Sequence, residues 1–165
     1  MKKFIVSVML LLPLGMVAQE IKIAVVNTGE IFNSMPEVEA MGKEVEAMTK
    51  QYEDYLLGLN EEYTKKMNEL STQGESLTEN IRMLKVQEIQ ELQGRIESYY
   101  EYANQERTRK QEELFAPIQE KLFKAINEVG EENGYTYILN PQALLYTGST
   151  AVDATDLVKA KLGLN

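Results

Sequence analysis

Neither histidine nor cysteine occurs among the 165 residues, and their absence decides what chemistry the sequence can carry. Without them the commonest general base near neutral pH, the zinc sites and the Ser-His or Cys-His nucleophile arrangements cannot be built. Asp and Glu number 26, but they are strewn through charged, helix-forming sequence. A working acid–base pair needs burial or a close like charge to shift its pKa, and a solvated helix face is the plainer reading. No glycine-rich phosphate loop is present. No catalytic residue, metal site or cofactor is expected. What remains is contact chemistry, from nine Tyr and eight Met. Tyr52, Tyr55, Tyr63, Tyr99, Tyr100 and Tyr102 lie in two charged stretches, and Met67 follows the first of them. Flexible thioethers and amphipathic phenols suit a surface that accepts many apolar partners.

The elements that position these side chains follow from periodicity. Val38, Met41, Val45, Met48, Tyr52, Tyr55 and Leu59 recur at alternating steps of three and four, and Tyr63, Met67 and Leu70 continue after a one-place shift. That is the seam of a long helix, with Met and Tyr where Leu and Ile would close it more tightly. A second stripe runs through Leu77, Ile81, Leu84, Ile89, Leu92, Ile96, Tyr99 and Ala103, then Leu114, Ile118, Leu122, Ile126 and Val129. Between them Ser71–Ser76 gathers turn formers, and Ser76 with Glu79 has capping-box spacing. Two readings fit: a hairpin tip here, or one uninterrupted helix through Gly74. The tip keeps the flanking segments close, whereas a straight helix rising about 1.5 Å per residue would part them. Pro117 removes one backbone hydrogen bond and predicts a kink. Glu106–Glu113 has no apolar residue and reads either as a basic patch for an anionic partner or as a solvated face paired by nearby Glu.

The flanks read as strands. Ile21–Asn27 is a short β-branched run, Asn27 or Thr28 caps a helical turn through Phe32, and Pro36 suits a helix start. Beyond a helix stop at Glu131–Gly134, Tyr135–Asn140 predicts a second strand and Ala143–Thr147 a third, with a terminal helix from Asp153 or Thr155. The fold class is therefore α+β and mostly helical. A small β-body (residues 19–35 and 131–165) carries an antiparallel coiled-coil hairpin arm (residues 36–130) with its tip near 71–76. Three short strands bury too little alone, so Ile23, Val25, Ile138 and Leu145 are expected in a core shared between subunits.

At the N-terminus, Lys2 and Lys3 precede the apolar run Phe4–Leu12, a Pro13–Gly15 break and the small Ala18, which reads as a secretory signal peptide over residues 1–18. An uncleaved anchor is the other reading, although the run is short for a span. Cleavage near Ala18 or Gln19 leaves about 147 residues, and loss of two of the seventeen basic residues takes the formal charge from −9 to −11. Such a surface repels nucleic acid and anionic lipid.

Three segments carry a family resemblance: Ile23–Phe32, the charged hairpin, and Tyr137–Asn140 with Ala143–Tyr146 and Asp156–Val158. With them the chain resembles the Skp/OmpH family of periplasmic chaperones. The resemblance implies a periplasmic homotrimer whose strands join in a central body while three helical arms surround a cavity. It further implies that unfolded outer-membrane β-barrel proteins are held there and kept from aggregating without ATP, with no nucleic acid bound and no stable membrane insertion after signal cleavage. The best-known members are strongly basic and contact lipopolysaccharide, whereas this chain has a pI of about 4.7; no lipopolysaccharide site is carried over. On the residues alone two other classes stand beside the chaperone: a structural coiled-coil spacer or adaptor of the cell envelope, and a hydrolase built on carboxylates only. The body residues are assigned to self-association. Tyr52, Tyr55, Tyr63, Met67 and Tyr99 either bind client or pack the two helices together, and for Tyr100 and Tyr102 both uses fit equally.

Overall fold

A computed structural model describes residues 21–164; the predicted signal peptide lies outside them. In chain order the elements are β1 (Ile23–Val25), α1 (Thr28–Ser34), α2 (Pro36–Gln73), a 3-10 turn (Gly74–Ser76) and α3 (Glu79–Asn133). These are followed by β2 (Tyr137–Leu139), a second 3-10 turn (Pro141–Ala143), β3 (Val152–Asp153) and α4 (Thr155–Leu162). The mostly helical α+β class holds, and α2 and α3 form the antiparallel hairpin.

Local chemistry sets the helix ends. The Asn27 side chain accepts from the Glu30 amide and donates to the Glu30 carboxylate, closing the first turn of α1 from both sides. Met35 is extended, as a residue before proline must be, and Pro36 takes the first position of α2, where a missing N–H costs nothing. Gly134 ends α3 in the left-handed region, φ 64°, with its N–H on Glu131 O and that of Tyr135 on Gly130 O. At the tip the expected capping box does not form. Ser76 Oγ instead donates to Gln73 O, which closes the 3-10 turn, and α3 begins two residues later than predicted, behind Thr78. Helix α3 continues through Pro117.

The sheet is parallel, in the order β2-β1-β3, with Ala24 beside Ile138 and Val152. Parallel neighbours need a long crossover, and between β1 and β2 that crossover is the entire helical hairpin. The third strand corrects the sequence reading. Ala143–Thr147 is not a strand: Asn140 Oδ1 accepts from the Gln142 amide and its Nδ2 donates to Thr28 Oγ1, so the chain turns at Pro141. The third strand lies later, where the Ala154 amide reaches Val25 O and Asp153 Oδ1 accepts from the Thr155 amide.

One core lies at the base of the arm. It joins Ala24 and Val26 of the central strand segment, Ile31 and Met35, Ile118, Leu122, Ala125 and Val129 of α3, and Ala154 and Val158 beside α4. The 55 residues of α3 exceed the 38 of α2, and the surplus supplies the α3 share of this core. The Asn27 amide donates to Thr155 Oγ1, pinning the start of α1 to α4. Ile31 is fully enclosed. Ile31→Ala is expected to lower the thermal midpoint by roughly 5–15 °C, the consequence of about 2–5 kcal/mol lost on emptying a packed site. Leu57→Ala, at an exposed arm position, should shift it little; calorimetry of both variants checks the contrast.

Candidate functional site

The two arm helices meet in a single register. Glu44 pairs with Lys110 at 2.7 Å, Lys66 with Glu88 at 2.9 Å and Glu69 with Lys85 at 3.4 Å, while the rings of Tyr55 and Tyr99 lie 4.4 Å apart. Position i of α2 thus faces position 154 − i of α3. Leu59, Ile89, Leu92 and Ala103 are buried along this seam, and the Met and Tyr positions between them are half-buried or exposed. Large, flexible or amphipathic side chains leave the seam incompletely closed, so it offers apolar surface along its length.

Tyrosines concentrate in the middle of the arm. Tyr52 meets Tyr99 and Tyr102 at 5.9 and 6.1 Å, near edge-on, and Tyr99 meets Tyr102 at 5.9 Å. These separations fall in the favourable range for aromatic pairs. The cluster separates residues that the sequence left together. Tyr102 is 50% exposed yet touches two rings, whereas Tyr100 is 61% exposed and belongs to no ring pair among the described residues. Tyr99 and Tyr102 are three residues apart and share a helix face; Tyr100, one residue on from Tyr99, cannot. Tyr63 is half-buried and Met67 is 41% exposed further toward the tip.

Near the tip the second stripe departs from expectation. Ile81 and Leu84 are exposed rather than in the seam, because the step from Leu84 to Ile89 is five residues and shifts the stripe's phase. Lys85 faces α2 instead and reaches Glu69. Leu57 and Met83, which the sequence reading passed over, are also exposed; an apolar residue off the heptad positions was the available signal for both. In Glu106–Glu113, Arg109 lies 2.5 Å from Glu106 and 3.6 Å from Glu113, and Lys110 takes Glu44. Two of the three cations of that segment are in ion pairs within the arm and the third, Arg107, donates to Asn104 Oδ1, which favours the solvated face over an anion site.

The four body residues also separate. Ile23 and Val25 point to the sheet face away from the core, the first 45% exposed and the second 7%. Ile138 lies in register with Ala24 and therefore on the opposite face, packed against the protomer's own core beside Gly130. Leu145 stands fully exposed in the segment expected to be a strand. Tyr137 and Leu139 share the outer face with Ile23 and are exposed as well. Among the described residues no three acidic or other metal-ligating side chains form a cluster that could hold an ion, and no helix is long and apolar enough to cross a membrane.

Burial raises the pKa of Tyr52 above the ordinary tyrosine value of 10, helped by the phenols of Tyr102 and Tyr99 and by Glu106. Burial likewise raises that of Tyr99, beside Tyr55 and Tyr102. A phenol whose folded pKa lies above its unfolded one stabilises the fold fully below the unfolded pKa, and that stability is lost as pH rises through the folded pKa. The arm is therefore expected to lose helicity above pH about 10. The Tyr52→Phe, Tyr99→Phe double variant should keep its circular-dichroism signal to higher pH. Coincident alkaline transitions in the two proteins would place the loss elsewhere.

Comparison with known proteins agrees with this architecture. The family model for outer membrane protein (OmpH-like) matches residues 22–162. Chaperone protein Skp of Yersinia enterocolitica is 26% identical over 161 residues, covering 96% of this chain and 98% of that one. Chaperone protein Skp of Pectobacterium atrosepticum is 25% identical over 138 residues, 84% of each chain. The crystal structure of an OmpH-like protein from Caulobacter crescentus superposes with a TM-score of 0.75 at 14% identity, over 85% of this chain and 82% of that one, so the fold is shared. Matched across nearly all of its described length, from the first strand to the terminal helix, this chain belongs to the OmpH-like family.

Proposed function

We propose that this protein is an ATP-independent holdase of the periplasm that binds unfolded outer-membrane β-barrel proteins between helical arms and prevents their aggregation. One observation carries the reading: a long arm joined by an incompletely closed seam presents Tyr55, Tyr100, Tyr102, Met67 and Met83 to solvent. Exposed apolar and aromatic surface on an element far from the core contributes little to folding, and it suits binding of unfolded chain. The relatives named as chaperones support the same role. A holder working without ATP acts by binding equilibrium alone, retaining the unfolded client until a deeper folded minimum is reached.

The body supports self-association, as a homotrimer in this reading. Ile23, Tyr137 and Leu139 on the outer sheet face, with Leu145 and Tyr146 beyond it, expose more apolar surface than a body this small needs. Val25, in the central strand, would lie behind Ile23 in such an interface. Ile138 would contribute indirectly, by fixing the sheet to its own helices. The same body would also suit an envelope spacer or adaptor, so the client assay below decides between the two.

Diluting a urea-unfolded outer-membrane β-barrel protein into buffer with this protein should suppress turbidity and give a discrete soluble complex by light scattering. Unchanged aggregation beside a well-folded helical oligomer would instead support the spacer. Replacing Tyr100 and Tyr102 together by Ser should weaken client retention several-fold with helicity unchanged, since both rings are at least half exposed; undiminished protection would remove them from the binding surface. Ile23→Asp, at a position exposed in the single chain, should reduce the scattering mass to that of one protomer while the helices persist. An unaltered mass would show that the outer sheet face is not the interface.

A further inference from the structure

The ion pairs of the arm are unevenly placed. Toward the tip Lys66–Glu88, Lys85–Glu69 and Arg82–Glu79 are paired, and toward the base Lys110–Glu44, Arg109–Glu106 and Lys121–Glu37 are paired. Between them, residues 51–64 of α2 and the facing 90–103 of α3 hold seven acidic side chains against the single Arg95. None of the seven is in an ion pair among the described residues. This stretch of 28 residues therefore carries −6 of the chain's formal −9.

The same stretch holds the tyrosine cluster and an open groove. Tyr55, Leu59, Tyr99 and Tyr102 line it together with Glu91 and Arg95, and Gly94 and Ser98 lie one helical turn apart on its α3 side. Gly94 is exposed, and a Cβ placed on it would meet nothing within 4 Å, so a side chain there would stand in the open space of the groove. Tyrosine faces attract cations as well as apolar groups, and the excess of carboxylates over the single Arg95 in the same stretch adds charge of the matching sign.

We propose that this mid-arm groove is the docking surface for positively charged segments of unfolded polypeptide, chain stretches in which Lys or Arg flank an apolar or aromatic residue. The inference rests on the holdase reading and names the class of segment that the arm prefers. The apolar residue fills the slot over Gly94 between Tyr55 and Tyr102. The flanking cations meet the tyrosine faces and carboxylates such as Glu53, Asp54, Glu97 and Glu101. Magnitudes require several charges to act together, because one exposed ion pair changes affinity by less than about tenfold. The seven lie along roughly 20 Å of arm, so neighbours fall within about one Debye length, ~8 Å, at physiological salt and reinforce one another. Acidic stretches of the same client are repelled, which confines binding to part of each chain.

Two short unstructured fluorescent peptides of equal Phe and Leu content, one flanked by Lys and one by Glu, test this by anisotropy with the intact protein. The Lys peptide should bind about tenfold more tightly at low ionic strength, and the preference should largely vanish at ~0.5 M salt. Combining Glu53→Gln, Asp54→Asn, Glu97→Gln and Glu101→Gln should abolish the preference with helicity retained. Gly94→Leu should weaken binding of the Lys peptide. It adds a better helix former in open space and so leaves the arm folded. Equal binding of both peptides, or a preference untouched by either variant, would overturn the inference while protection of an unfolded β-barrel client from aggregation keeps the holdase reading intact. Loss of that protection in the unaltered protein would overturn the holdase reading, and the inference with it.

Discussion

The backbone ladder of β1 is the constraint on which the rest depends. Lys22 O accepts from the Thr136 amide, the Val26 amide reaches Leu139 O, and the Ala154 amide reaches Val25 O, so the central strand is held by segments more than a hundred residues further along the chain. The entropy of closing so long a loop grows only slowly with its length, by about 0.6 kcal/mol per doubling, but the loop ends must still be brought together. A hairpin does this geometrically. Because α2 leaves the body and α3 returns to it, both ends of the crossover arrive at one place, and parallel pairing follows without a chain reversal inside the sheet. The arm and the sheet are therefore one construction, although the arm's buried share of the core comes from the base of α3, with Val38 and Met41 of α2 packed against it.

Stability is graded along the molecule in consequence. At the base, Ala24, Val26, Ile31 and Val158 are almost wholly enclosed, and the ion pairs Lys159–Glu30 and Lys161–Glu132 tie α4 to α1 and α3. The arm has only a two-helix seam, whose buried members are few and widely spaced. Local opening follows contact density, so the arm should open at lower free energy than the base. Exposed ion pairs such as Lys66–Glu88 are screened by water and salt and serve more to fix register than to hold the helices together.

Much of this was legible in the residues. The alternating three-four steps marked both long helices because an amphipathic stripe is a property of the chain itself, and Asn27 marked the start of α1, Pro36 that of α2 and Gly134 the end of α3 through local backbone chemistry. What failed depended on contacts distant in sequence. Ala143–Tyr146 is apolar enough for a strand, yet Asn140 bonded to Thr28, more than a hundred residues away, turns the chain aside, and strand pairing falls instead to Val152–Asp153. Ile138 looked equivalent to Val25 until the register placed it beside Ala24. Ile81 and Leu84 continued a stripe on paper, but a five-residue step rotated them out of the seam. At the candidate site, composition indicated tyrosine and carboxylate. Only the facing of the two helices showed that the unpaired carboxylates and the ring cluster share one stretch of arm.

That coincidence bears on how a holder without an energy source could release what it binds. Leu59, Ile89 and Leu92 are already committed to the seam, so the surface left for a client is half-exposed phenol, thioether and carboxylate. Contacts of that kind are individually weak, because the groups on both sides give up hydration to make them. A tightly closed Leu and Ile seam would leave less surface to offer, and a broad dry apolar groove would retain clients against their own folding. In the proposed role, affinity then arises from many weak contacts along one chain, and it falls away segment by segment as the client withdraws residues into its own folded structure. Release needs no switch in the arm, since each segment that folds elsewhere lowers the number of contacts that hold the remainder.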